Sequence, residues 1–184
     1  KDEKVDAKNF VPKDKMENDQ IKNRKKMFSR KKVCRFCVDK TLKIDYKVYS
    51  VLPKSFEPLL KKAYEMTQTS YSPYSHFSVG AAVLLSDGTI VGGSNQENMS
   101  YPSGLCAERV AVFSAQANFP HLSVKSIFLM AVQGGEVVDQ IVSPCGACRQ
   151  VLIEVEQRYG SDIEVILYSP SQTIVFSSVK DLLP

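Results

Sequence analysis

The chain predicts an α/β layered fold, a mixed five-stranded sheet flanked by helices. Two observations lead there. Apolar runs of strand length alternate with stretches of helical period, and the first two runs are joined by a tight turn that makes them an antiparallel hairpin. A third observation concerns chemistry: cysteines open two of the helices, in "GLCAERV" (104–110) and "PCGACRQ" (144–150).

The elements follow in order from about Pro53. In "PKSFEPLLKKAYEMTQTS" the apolar residues Phe56, Leu59, Leu60 and Ala63 recur at helical spacing, which predicts a helix over 54–69. "FSVGAAVLL" (77–85) reads as a buried strand, "SDG" (86–88) as the hairpin turn and "TIVGGSN" as the returning strand, which is expected to break down at Gly92-Gly93. A helix over 104–119 ends at Pro120, and "VKSIFLMAV" (124–132) is the third strand. After a "GGEV" turn, a helix over 145–160 is closed by Gly160. "IEVILYS" (163–169) and "TIVFSS" (173–178) complete the five strands, and "VKDLLP" makes a last short turn of helix.

Charge divides the chain of 184 residues unevenly. Residues 1–47 carry 16 Lys+Arg against 8 Asp+Glu, whereas residues 48–184 carry 8 against 12. A basic arm of +8 on an acidic body of −4 suggests two parts with different histories or different partners, so the expected division is a basic segment 1–47 and a catalytic domain 48–184. The arm is polar, with a basic run "KNRKKMFSRKK" (22–32), and is expected to be disordered in isolation. Such a run is either a solvated tail or a weak, salt-sensitive contact for the phosphates of RNA. Cys34 and Cys37 form a CxxC pair, half of a metal site, with both histidines far along the chain. No apolar run reaches the roughly 20 residues that cross a membrane, and the charged N-terminus lacks a signal-peptide pattern. The expectation is a cytoplasmic protein without a membrane partner. Five cysteines in such a chain make a disulfide framework the weaker reading and metal binding the stronger.

Cys145 and Cys148, three apart at a helix start, can present both sulfurs from one face, and Cys106 opens the other helix. Helix N-termini carry partial positive charge and favour thiolates. Three thiolates make a three-ligand zinc site, and three protein ligands rather than four characterise a catalytic zinc. Glu108, two residues past Cys106, is placed to move a proton between water and substrate. Arg109 and Arg149 adjoin these residues, and either could donate to sulfur, Arg109 being preferred. The three cysteines could alternatively be small buried hydrophobes, which free cysteine often is. Their helix-start placement beside an acid argues against that.

"CAE" followed by "PCGAC" resembles the signature of the zinc-dependent nucleoside and nucleobase deaminases. Together with "PYSHFSVGAA" and "NQENMSYPSGLCAER" it is similar to the small homotetrameric cytidine deaminases over about residues 53–184. The resemblance implies a cytidine-deaminase-like fold, one Zn²⁺ per chain on Cys106, Cys145 and Cys148, and Glu108 as proton carrier. It implies a homo-oligomer, a tetramer, serving pyrimidine salvage by hydrolytic deamination of cytidine and 2′-deoxycytidine. It places Asn95 and Glu97 on the ribose hydroxyls, Phe77 against the pyrimidine ring, the Ala107 backbone beside the base, and Tyr101 across a subunit interface. His76 and His121 are left as structural.

Two features depart from that family. The chain stops at "KDLLP", where relatives continue to another aromatic. "FSRKKVCRFCVDK" with "IDYK" resembles instead the start of the eighteenth protein of the small bacterial ribosomal subunit. The competing readings are a deaminase of another cytosine-bearing compound such as blasticidin, and an RNA-binding ribosomal fragment with a structural zinc. The first sits poorly with the ribose-type "NQEN", and the second leaves Glu108 without a purpose.

Overall fold

A computed structural model describes residues 44–183. The basic run 22–32, the Cys34–Cys37 pair and the ribosomal-protein-like segment lie outside those residues. The described residues form one compact unit. Its strands are β1 (Tyr46–Tyr49), β2 (Phe77–Leu85), β3 (Ile90–Ser94), β4 (Val124–Gln133), β5 (Glu136–Val137), β6 (Glu164–Tyr168) and β7 (Thr173–Phe176). Its α-helices are α1 (Glu57–Thr67), α2 (Ala107–Asn118) and α3 (Gly146–Tyr159), with 3₁₀ turns at Lys54–Phe56, Tyr101–Ser103 and Val179–Leu182.

The sheet has seven strands rather than the expected five. Six run in the order β1-β7-β6-β4-β2-β3, and β5 pairs with β4. Only β4 and β6 are parallel, joined through α3; the other pairs are antiparallel, so the sheet is mixed as expected. The two strands absent from the sequence reading are short. β5 is two residues folded back from β4 after Gly134 and Gly135. β1 is the run "YKVY", whose four residues pair with β7 from Tyr46↔Phe176 to Tyr49↔Thr173. Its alternation is too brief to stand out beside the lysine-rich arm. Tyr46 and Lys47 therefore belong to the sheet, and a boundary after residue 47 would cut a strand.

Side-chain alternation along the central strands builds two cores. Phe128, Met130 and Ile166 face α1 with Leu59 and Ala63. Ile127, Leu129, Val165 and Leu167 face the other way, under α2 (Ala107, Ala111, Ala115) and α3 (Leu152, Val155). The result is three layers: α1, the sheet, then α2 and α3 side by side.

The glycine pair does not end β3, which continues to Ser94. Gly92 lies under Met66 of α1, and Gly93 lies against the backbone of α2. A Cβ at Gly93 would sit 2.6 Å from the Ala107 carbonyl oxygen and 2.8 Å from Ala111 Cα. The glycines are the condition for close helix packing on both faces rather than a break in pairing.

Candidate active site

Both expected helix starts have an extended N-cap residue, and each is a cysteine. Cys106 (φ −72°, ψ 153°) precedes α2 and Cys145 (φ −66°, ψ 167°) precedes α3. Cys148 lies one turn into α3 and is fully buried. The Cys106 and Cys145 Sγ atoms are 3.8 Å apart, those of Cys145 and Cys148 3.4 Å, and all three lie within 4.8 Å of one another. Tetrahedral thiolate ligation at about 2.3 Å from zinc brings sulfurs to about 3.8 Å from each other, so the donor set fits zinc.

The electrostatics favour an anion here. The S–H of Cys148 hydrogen-bonded to Cys106, opposed by burial and aided by Arg109, holds the Cys106 thiol down to about 5. Cys148 is pushed up in turn, by that same bond and by burial. An Arg109 Nη donates to Cys106 Sγ at 3.8 Å and to the Gly104 carbonyl at 3.5 Å. Among the described residues Arg149 has no hydrogen bond to sulfur. Its Nε donates to the Pro144 carbonyl at 2.7 Å and an Nη to the Leu182 carbonyl at 3.0 Å.

Glu108 occupies the first turn of α2 at 6% exposure. Burial pushes its carboxyl up to about 7. An acid that exchanges its proton near neutrality suits both general-acid and general-base work. Ala107, before it, is buried.

The residues matched to the nucleoside sit on two loops that are stitched together. Asn95 follows β3; its Oδ1 accepts from Val79 N at 2.7 Å and Ser70 Oγ at 2.6 Å, and its Nδ2 donates to the Phe77 carbonyl at 2.9 Å. Much of its hydrogen-bonding capacity thus goes to fixing Phe77 and β2. Glu97 Oε2 accepts from Tyr74 N at 2.9 Å and Ser75 N at 3.3 Å, and the Ser75 side chain, followed by these backbone donors, holds its carboxyl below the usual range. His76, between them and Phe77, has φ 53°, an uncommon conformation for a residue with a Cβ. Tyr101 is 91% exposed in the single chain. Asn95 and Glu97 thus brace the two loops against each other, and isolated bridges Tyr71↔Gln96 and Gln96↔Leu105 carry the same bracing through the backbone.

Residues 53–159 match the family model described as the cytidine and deoxycytidylate deaminase zinc-binding region. The chain belongs to that family. It is accordingly a zinc-binding protein, with the three sulfurs as the candidate site. It is 38% identical over 126 residues to a cytidine deaminase of Halalkalibacterium halodurans, a span covering 68% of this chain and 89% of that one. It is 39% identical over 128 residues to a cytidine deaminase of Sporosarcina psychrophila, covering 70% and 88%. A crystal structure of cytidine deaminase from Burkholderia pseudomallei has 36% identity and a TM-score of 0.58, covering 69% of this chain and 94% of that one. These matches carry the family fold to the three-layered body described above. Among the described residues no helix is long and apolar enough to cross a membrane.

Proposed function

We propose that this chain is a zinc-dependent hydrolase that converts cytidine to uridine with release of ammonia, and that it treats 2′-deoxycytidine in the same way. The observation that carries the reading is the convergence of three thiols from two helix starts beside a buried carboxyl held near 7. Relatives named cytidine deaminase at 38–39% identity support it.

Cys106, Cys145 and Cys148 hold the metal, and Arg109 offsets the negative charge of the Cys106 sulfur. Zinc, when bound, is a Lewis acid that lowers the pKa of water from roughly 15.7 to about 7. Glu108 takes a proton from the attacking water and passes it to the ring nitrogen of the base. The water oxygen bonds to C4, and Glu108 then carries the remaining proton of that hydroxyl to the amine, so that the C4–N bond breaks, the C4 carbonyl forms and ammonia leaves. Glu97 keeps Oε1 for a ribose hydroxyl while Oε2 fixes its loop, and Asn95 offers its remaining N–H. Phe77 packs on the pyrimidine ring, with the Ala107 backbone at the base edge.

The exposure of Met99 (88%) and Tyr101 (91%) supports assembly as a homotetramer in which a neighbouring copy covers them. We place the enzyme in the cytoplasm, in pyrimidine salvage. The basic residues that precede β1 contact RNA weakly and release it as salt rises.

The test is loss of cytidine absorbance by the full chain, with and without a chelator, beside Glu108→Gln. Chelation abolishes turnover and added zinc restores it, while Glu108→Gln keeps its zinc and loses about 10²–10⁴-fold in kcat. Turnover that survives both treatments would refute the assignment.

A further inference from the structure

The 3₁₀ turn Val179–Leu182 straps the outside of α3 and is gripped from two positions seven residues apart. Glu156, at 2% exposure, accepts from Ser178 Oγ at 2.8 Å and from the N–H groups of Val179 and Ile163 at 3.0 Å each. Arg149 donates to the Leu182 carbonyl at 3.0 Å. Seven residues is close to two helical turns, so both side chains leave the same face of α3. Val179 and Leu182 anchor the strap in the core beside Leu152 and Val155. The guanidinium of Arg149 also reaches back to Pro144, at 2.7 Å.

The three cysteines are not equally well held. Cys148 is enclosed by packing, and Cys106 is half-buried with Arg109 against its sulfur. Cys145 is exposed, and among the described residues its sulfur has hydrogen-bond contacts with the other two sulfurs alone. Little besides its backbone fixes it. The peptide entering Cys145 begins at Pro144, which is buried, so its carbonyl needs a partner from the protein. Arg149 supplies that partner and joins it to the strap.

We propose that Arg149 is a positioning residue for Cys145: its forked guanidinium fastens the Pro144–Cys145 peptide to the C-terminal turn, and thereby sets the third thiolate against the other two. The inference rests on Cys145 being a zinc ligand. Lysine keeps the charge but not the fixed fork that spans two carbonyls. Partners that orient metal ligands are worth about 10–100-fold in affinity.

Zinc affinity, measured by competition with a chromogenic chelator, is compared in the wild type, Arg149→Lys, Cys145→Ala and the double variant. Arg149→Lys weakens zinc about 10–100-fold in the wild-type background and changes nothing further once Cys145 is gone. Tyr159→Phe, which removes the hydrogen bond to the Pro120 carbonyl at the far end of α3, lowers thermal stability without moving zinc affinity. Should the lysine variant fail to fold, Arg149→Gln, which keeps one N–H donor group, runs the same cycle. An equal loss in both backgrounds, or none in the wild-type background, overturns the tether while leaving the metal site standing. Undiminished zinc in Cys145→Ala overturns the ligand assignment and the tether with it.

Discussion

Replacing Gly93 with alanine tests whether the sheet sets the position of the catalytic helix. The added Cβ would lie 2.6 Å from the Ala107 carbonyl oxygen and 2.8 Å from Ala111 Cα, with the Ala111 nitrogen closer still. Ordinary contact begins at 3.4 Å, so α2 or β3 must retreat by more than about 0.8 Å, and every atom in the way is backbone. Overpacking of this kind costs about 1–3 kcal/mol. At roughly 2–4 °C per kcal/mol for a chain of this size, the melting temperature falls by about 2–12 °C. The larger effect is on turnover, because Glu108 lies between the two residues displaced. A misplacement of about 1 Å can cost 10²-fold. Cytidine kinetics, zinc content and thermal unfolding are measured for Gly93→Ala beside Gly134→Ala. Gly134 has φ 62° and open space around it, so alanine there strains the backbone without displacing a neighbour. Gly134→Ala is expected to lose stability and keep kcat. Gly93→Ala with turnover within twofold of wild type would refute the claim that this contact places Glu108.

Three further outcomes are expected. In the zinc-free protein, the Glu108 carboxyl is raised from 4.5 to about 7 when folded, so the folded state holds a proton that the unfolded state has released between those values. That contribution to stability is present below about pH 4.5 and lost as pH rises through 7. Subtracting the urea-unfolding profile of zinc-free Glu108→Gln isolates it from the opposite slope of Cys106, and two parallel profiles would contradict the burial of the acid. Glu156→Ala strands the buried N–H groups of Ile163 and Val179, at about 1–3 kcal/mol each, and urea midpoints should move accordingly; a change under 0.5 kcal/mol is too small for that network. A chain beginning at residue 44 keeps β1 and should retain full deaminase activity, whereas one beginning at Val48 loses half of that strand and should melt lower. Equal melting of the two would show that the β1 pairing adds nothing.

The order of helices and strands was legible because each is long enough to declare its period. Val124–Gln133, with its apolar run, and α3, closed by Gly160 at φ 62°, are elements that local sequence determines by itself. The chemistry was legible too, since cysteines three apart at a helix start, with an acid two residues beyond a third, are short-range patterns. What the sequence could not determine depends on chain segments far apart. The strand Tyr46–Tyr49 exists only because β7, about 125 residues later, offers a free edge. Gly92 and Gly93 look like a break until Met66 and Ala111 are seen crossing them. Arg149 looks like a partner for sulfur until the turn at Leu182 arrives to take its hydrogen bond. Asn95 looks free for a ligand until Val79, Ser70 and Phe77 claim most of its amide. Periodicity and spacing act through neighbours within a turn or a strand, and so a sequence displays them. The partner of a buried polar group is chosen by whichever distant segment packing brings within reach, and that is decided only when the chain has folded.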